Sequence, residues 1–308
     1  MIEKPKFQLY FLHPKFWLTW LGVLFLYLVS WLPYRLQLIL GKGLGRLFKK
    51  AMPRRVNIAR RNLQLCFPDY SDEQIEELVN RNLQNTGIAY FEIGIAWWWP
   101  DWRIKRKLHV HGQENLRQAQ AGGKGVLMLL FHFLSLEVHA RLHGFVKPAV
   151  GLYRPHNNAV MEFLQTRGRG RSNKYMIQRR DVKGMLQAIA KGEIAGYLPD
   201  QDYGRRRVEF VPFFNVPDAS TTTGTTLFAK HPNCNVIVSR CVRRNDGTGY
   251  DVFYEPMLSD FPSGDDKADA ARINKLVERA VEQAPEQYLW VHRRFKTRPR
   301  EDMQSYYN

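Results

Sequence analysis

Cysteine is scarce in this chain of 308 residues: only Cys66, Cys234 and Cys241, with no CxxC pair and one left over in any disulfide scheme. That excludes a disulfide scaffold and a cysteine-built metal site, and it fits a reduced globule facing the cytoplasm. Three signatures are also missing: the GxSxG nucleophile elbow, the Walker phosphate loop and the HExxH zinc motif. Acidic residues are the minority, 29 against 46 Lys plus Arg, for a formal net charge of +17. Such an excess attracts polyanions, whether nucleic acid, an anionic bilayer surface or a phosphorylated substrate, and charge alone does not choose among them. There is no low-complexity linker and no internal repeat. With 44% hydrophobic and 13% aromatic residues, general disorder is excluded.

Charge is absent altogether from Phe16 to Tyr34. Nineteen residues of helix extend about 28 Å, close to the hydrocarbon thickness of a bilayer. Trp17, Trp20, Trp31 and Tyr34 lie towards the ends, where interfacial aromatics sit. Leu32-Pro33-Tyr34-Arg35 offers no small-residue cleavage site, so the run reads as a membrane anchor that spans the bilayer or lies in one leaflet, with spanning preferred. The next stretch, Arg35 to Lys50, places Arg35, Lys42, Arg46 and Lys49 on one helical face and Leu36, Leu40, Leu44 and Leu47 on another. This is a basic amphipathic helix suited to an anionic membrane surface, although Gly41, Gly43 and Gly45 weaken it. Arg54, Arg55, Arg60 and Arg61 extend the positive run and point to a cytoplasmic body, an orientation that Lys4, Lys6 and Lys15 on the other flank oppose.

Ser71-Asp72-Glu73-Gln74 is a capping box opening a long helix towards Trp97. Strands are expected at Val126–Phe131, Ala149–Tyr153, Ile194–Leu198, Val208–Phe213, Val236–Val242, Tyr250–Tyr254 and Tyr288–Val291. Helical patterns at Ala159–Gln165, Lys183–Lys191, Thr222–Lys230 and Ala268–Ala284 intervene. The alternation predicts an α/β fold, a mixed and mainly parallel sheet flanked by helices, with an N-terminal membrane-anchoring helical segment (1–50) before a catalytic domain (51–308).

His132 follows the strand Val126–Phe131, and reacting groups gather at the carboxyl ends of strands in open α/β sheets. Glu137, five residues on, reaches His132 only if His132 lies in the strand-to-helix turn. A carboxylate on one imidazole nitrogen then fixes the tautomer while the other takes a proton. The bland reading is a buried histidine satisfied by backbone and a solvated glutamate. Ser135 lacks an elbow context, and His139 and His143 lack a third metal ligand, leaving them surface or structural residues. Arg154 follows another strand, and Arg167, Arg169, Arg171 and Lys174 form a Gly/Arg-rich cluster suited to clamping phosphates or simply to solvation. Asp200 and Asp202 fit three roles: orienting an arginine, which ranks first, binding a metal, or capping a turn. Thr221-Thr222-Thr223-Gly224 opens a helix whose N–H groups bind an anion or are capped by threonine.

Together these residues resemble the late acyltransferases of lipid A biosynthesis, the lauroyl, palmitoleoyl and myristoyl transferases of Gram-negative inner membranes. The likeness rests on the HxxxxE box (His132, Glu137), Tyr153-Arg154-Pro155-His156-Asn157-Asn158, Gly168–Lys174, Pro199–Gly204 and the tail Ala284–Pro299. It implies an acyl carrier protein thioester as donor. The implied acceptor is the hydroxyl of a 3-hydroxyacyl chain on Kdo-modified lipid IVA, a phosphorylated glycolipid. It further implies an inner-membrane location with the catalytic domain cytoplasmic, no cofactor, no metal and no nucleic acid. By motif, His132 is the general base and Glu137 its orienting partner, Arg169 and Asp200 are a supporting charged pair, Arg154 binds acceptor phosphate or steadies the developing oxyanion, and Arg171, Lys174 and Asp202 bind substrate. A glycerolipid acyltransferase and a basic nucleic-acid- or lipid-binding protein are the rival readings.

Overall fold

The computed structural model describes residues 5–307; Lys4 lies outside them. Helix α1 covers Trp17–Ser30 and α2 Tyr34–Ala51, followed by α3 (Pro53–Cys66), α4 (Asp72–Trp98) and α5 (Asp101–Lys105). Strand and helix then alternate: β1 (Leu108–His111), α6 (Gln113–Ala119), β2 (Gly125–Leu129), α7 (Leu136–Val146), β3 (Val150–Tyr153), α8 (Ala159–Arg169), β4 (Tyr175–Gln178), α9 (Val182–Ala190) and β5 (Ile194–Tyr197). A hairpin, β6 (Val208–Phe213) and β7 (Val216–Thr222), precedes α10 (Gly224–Ala229), β8 (Cys234–Arg243), β9 (Tyr250–Tyr254) and α11 (Asp266–Glu282).

Seven strands form one sheet in the order β1-β9-β8-β2-β5-β3-β4. Only the β8–β9 pair is antiparallel, so the sheet is mixed and mainly parallel, as the alternation of elements predicts. β2 is buried along its whole length, and its side chains divide between two cores with the period of two that a strand imposes. Leu127 and Leu129 join residues from α3, α9, α11 and the first half of α4, whereas Val126 and Met128 pack with α7 and the end of α4. Helix α4 opens on the expected capping box: the Ser71 hydroxyl accepts from the Gln74 N–H while the Gln74 side chain accepts from the Ser71 N–H. Its 27 residues run about 40 Å, long enough to reach both cores.

Two expectations change. Tyr288–Val291 is not a strand. It makes one isolated bridge, Phe133 to Tyr288, because its carbonyls are claimed by buried asparagines of α3 and α4. Asn82 Nδ2 donates to the carbonyls of Glu286 (3.0 Å) and Tyr288 (2.7 Å), and Asn62 Nδ2 to those of Trp290 (2.6 Å) and His292 (2.7 Å). Strands β1, β4 and β7 have no counterpart in the sequence pattern: β1 and β4 have four residues each, and β7 is polar.

The uncharged N-terminal run also folds differently. Pro33 cannot donate to a preceding turn and disfavours helix at Leu32, so α1 stops at Ser30 after 14 residues. Among the described residues no helix is long and apolar enough to cross a membrane. Helix α2 forms where expected but packs through its glycines rather than its leucines. A Cβ on Gly41 would lie 2.6 Å from the Ile88 Cα, one on Gly45 would collide with the Leu83 carbonyl, and one on Gly87 with the Gly41 carbonyl. The backbones of α2 and α4 therefore touch, and Leu36, Leu40 and Leu47 are left exposed, as are Leu18, Leu21 and Phe25 of α1.

Adding a methyl group at Gly45 should force the two helices apart and cost about 1–3 kcal/mol, the usual range for overpacking. Gly43, whose added Cβ meets nothing within 4 Å, is the control: Gly43→Ala should stabilise by up to about 1 kcal/mol through helix propensity. Thermal unfolding and limited proteolysis between α1 and α3 read the contrast.

Candidate active site

His132 lies three residues beyond the end of β2, and Asp200 lies three beyond β5, its parallel neighbour. The carboxyl ends of adjacent parallel strands share one rim of the sheet, and the two side chains meet there. The His132 backbone N–H donates to Asp200 Oδ2 at 2.7 Å, and His132 Nδ1 lies 2.7 Å from Asp200 Oδ1. Tyr288 Oη donates to Oδ2 at 3.0 Å. Asp200 has no exposed side-chain surface, whereas His132 keeps 20% of its own. Burial opposes ionisation of Asp200, but the imidazole, the His132 N–H and the Tyr288 hydroxyl together hold its carboxyl below the ordinary range. Burial and the neighbouring carboxylate push the Tyr288 hydroxyl well up, so it remains a donor.

The His132 turn is buttressed by the tail. Leu289 N–H donates to the His132 carbonyl at 3.0 Å, and Leu134 N–H to the Gln287 carbonyl at 2.8 Å. With Asp200 on Nδ1, the imidazole is held as the tautomer whose Nε2 carries the free lone pair.

The motif-based pairing of the charges is therefore exchanged. Glu137, expected on His132, sits in the first turn of α7 and is bonded by Arg169, from the end of α8. Arg169 Nε lies 3.0 and 3.2 Å from the two carboxylate oxygens, its Nη2 approaches Oε1, and Trp97 Nε1 donates to Oε2 at 3.2 Å. Burial disfavours the charge on Arg169, yet Glu137 beside it keeps its pKa above the ordinary value. Arg169 and Asp200, expected as a pair, belong instead to two neighbouring pairs, His132–Asp200 and Glu137–Arg169. Sequence spacing located all four residues and misassigned the partners, since pairing depends on which strands adjoin.

Three expected substrate-binding residues are occupied elsewhere. Arg171 donates to the carbonyls of Trp97 (2.6 Å) and Trp99 (3.0 Å), holding the end of α4. Lys174 precedes β4 and bonds Glu193, which precedes β5, at 2.6 Å, so both lie at the opposite rim of the sheet from His132. Asp202 accepts from Thr297 N–H and Oγ1, each at 2.8 Å, and pins the tail. Ser135 Oγ is buried and donates to the Cys241 carbonyl. Thr222 ends β7, and the short α10 opens at Gly224, whose N–H goes to the Thr222 hydroxyl.

Two cavities adjoin the site. One, of about 90 Å³, lies between the sheet and α7, with Met128, Leu130, Leu136, Val150 and Met176 in its wall and Glu137 and Arg169 as its charged members. The other, of about 470 Å³, contains His132 with Arg154, Arg179, Arg180, Tyr197 and Tyr203. Leu152 and Leu198 line both and form the partition. Arg154 thus lines the same cavity as His132, one strand removed along the rim. Sequence reasoning misses Arg179, Arg180 and Tyr288: the arginines follow β4, a strand too short to stand out, and Tyr288 falls in a run that reads as a strand.

The family model described as bacterial lipid A biosynthesis acyltransferase matches residues 4–297; the chain is therefore an acyltransferase and belongs to that family. It is 46% identical to the lipid A biosynthesis lauroyltransferase of Escherichia coli (strain K12), over 97% of this chain and 98% of that protein. It is 44% identical to the palmitoleoyltransferase of the same organism, over 97% of each. Among solved structures, the 1-acyl-sn-glycerophosphate acyltransferase of Thermotoga maritima is a distant likeness: 13% identity, a TM-score of 0.37, and coverage of 81% of this chain and 97% of that one.

His139 and His143 are buried rather than on the surface, bonded to Ser239 Oγ (2.9 Å) and Tyr254 Oη (2.7 Å). Burial lowers their pKa values from 6.5 to about 3 and about 4, with His143 adding to the effect on His139. Unfolded, both take up protons below about pH 6.5; folded, they resist until much lower pH. Stability should therefore fall as pH drops from 6.5 towards 4. Melting curves across that range test this, and His143→Gln should flatten the dependence while lowering stability at pH 7.

Proposed function

We propose that this acyltransferase moves a fatty acyl chain from an acyl carrier protein thioester to the hydroxyl of a 3-hydroxyacyl chain on Kdo-modified lipid IVA. His132 serves as general base. The observation that carries this reading is the buried Asp200 carboxylate on His132 Nδ1, which frees Nε2 in a cavity open to a substrate. Nε2 takes the proton of the acceptor hydroxyl as its oxygen attacks the thioester carbonyl. The C–S bond then breaks, and the imidazolium returns the proton to the departing thiolate. Asp200 stabilises the imidazolium in between and stays ionised. The thioester is already activated, so no cofactor is needed.

Glu137 and Arg169 act beside this pair as positioning residues. The exposed apolar side chains of α1 and α2 suit immersion in one leaflet of the bacterial inner membrane, with the catalytic body on the cytoplasmic side. Leu18 alone is 81% exposed, and so many exposed large apolar side chains on two successive helices are rarely left to water. The basic residues of α2 then face anionic headgroups.

His132→Ala should remove essentially all turnover in an assay with acyl carrier protein thioester and Kdo-modified lipid IVA, while leaving a folded protein. Asp200→Asn should cut kcat by about 10²–10⁴, the range of a general base deprived of its orienting acid, and should move the pH profile. Glu137→Gln should lower activity without moving that profile. A profile that moves with Glu137→Gln and not with Asp200→Asn would return the orienting role to Glu137.

For the membrane, Leu18→Ser/Leu21→Ser/Phe25→Ser should abolish co-flotation with anionic vesicles. Unchanged flotation would place the contact on another surface.

A further inference from the structure

The order β2-β5-β3-β4 at one side of the sheet places the residues that follow four parallel strands along a single rim. His132 follows β2, Asp200 follows β5, Arg154 immediately follows β3, and Arg179 with Arg180 immediately follow β4. Backbone pairing continues past the strand ends, since Arg179 N–H donates to the Tyr153 carbonyl at 2.9 Å, so Arg154 and Arg179 stay side by side. All three arginines line the cavity that contains His132. Among the described residues none of the three makes a salt bridge, whereas the neighbouring Arg169 is paired with Glu137. Three adjacent unpaired cations repel one another, and an anion of high charge relieves that repulsion.

We infer that Arg154, Arg179 and Arg180 clamp a phosphate monoester of the acceptor lipid, holding the glycolipid head on the polar side of the Leu152–Leu198 partition while its hydroxyl meets His132. The inference rests on the reading that the chain acylates a phosphorylated glycolipid. A monoester carries close to two charges and three terminal oxygens, which guanidinium forks bind in pairs. A phosphodiester, such as the one in the arm of an acyl carrier protein, offers one charge and two free oxygens and satisfies the cluster less well. In this role the three arginines act on affinity for the acceptor rather than on the chemical step.

The test uses the full chain in detergent, with the phosphorylated glycolipid acceptor and its enzymatically dephosphorylated form. Steady-state kinetics and acceptor binding without donor are measured on the wild type and on Arg154→Gln/Arg179→Gln/Arg180→Gln. The variant should raise KM and Kd for the phosphorylated acceptor at least tenfold, leave kcat within about threefold, and leave KM for the thioester donor unchanged. Wild type and variant should bind the dephosphorylated acceptor alike. If the variant loses affinity equally for both acceptors, or loses affinity for the donor instead, the clamp is wrong. If the wild type binds the phosphorylated form preferentially but acylates neither, the clamp stands and the acylation reading falls. Separate Arg154→Gln and Arg179→Gln variants guard against misfolding of the triple one, each with a smaller shift in the same direction.

Discussion

A carboxylate without access to water is costly unless its lone pairs are filled, and Asp200 is such a group. Its three donors come from distant parts of the chain: the backbone and ring of His132 after β2, and the hydroxyl of Tyr288 in the tail. Removing any of them leaves a buried charge short of a partner. The strand order, the His132 turn and the docked tail are therefore bound by one constraint. The imidazole is oriented as a consequence of satisfying the acid beneath it, and its outer face is left to the open cavity.

The helical layer serves the same centre from outside. Asn62 and Asn82, both fully buried, hold the tail carbonyls on either side of Tyr288. Gln287 exchanges two hydrogen bonds with the Arg243 backbone at the end of β8. The tail thus runs as an irregular strap that substitutes side-chain amides for a strand partner, and its placement reaches the His132–Asp200 pair through Tyr288. At the other end of α4, Trp97 touches Glu137, so the helix that carries α1 and α2 on its outer side touches the site with its last turn. The exposed apolar side chains of α1 and the Glu137–Arg169 pair are thus linked through a single helix.

Much of this is legible in the residues alone. The strand-end rule locates His132, Arg154 and Asp200, the capping box places the start of α4, and the alternation of apolar runs with helical patterns specifies the mainly parallel sheet. Side-chain roles in the Gly168–Lys174 stretch are not legible. Arg169, Arg171 and Lys174 look alike in a basic loop, yet Arg169 turns to Glu137, Arg171 to the carbonyls ending α4, and Lys174 to the far rim. The helix α8 and the turn after it point successive residues in different directions, and no spacing rule encodes the group that stands opposite. The glycines of α2 mislead for a related reason: their cost in helix propensity is local, while their benefit in close approach to α4 exists only between helices.

The sequence by itself determined the class of fold, the basic and apolar character of the N-terminal segment, and the set of residues from which a site is built. It did so because periodicity, strand ends and caps are properties of neighbouring residues. Only the tertiary structure decided that His132 pairs with Asp200 and Glu137 with Arg169, that α1 is too short to cross a bilayer, and that Arg179 and Arg180 stand beside Arg154. Those outcomes depend on which strands lie side by side, a choice made by burial of both faces of the sheet across the whole chain.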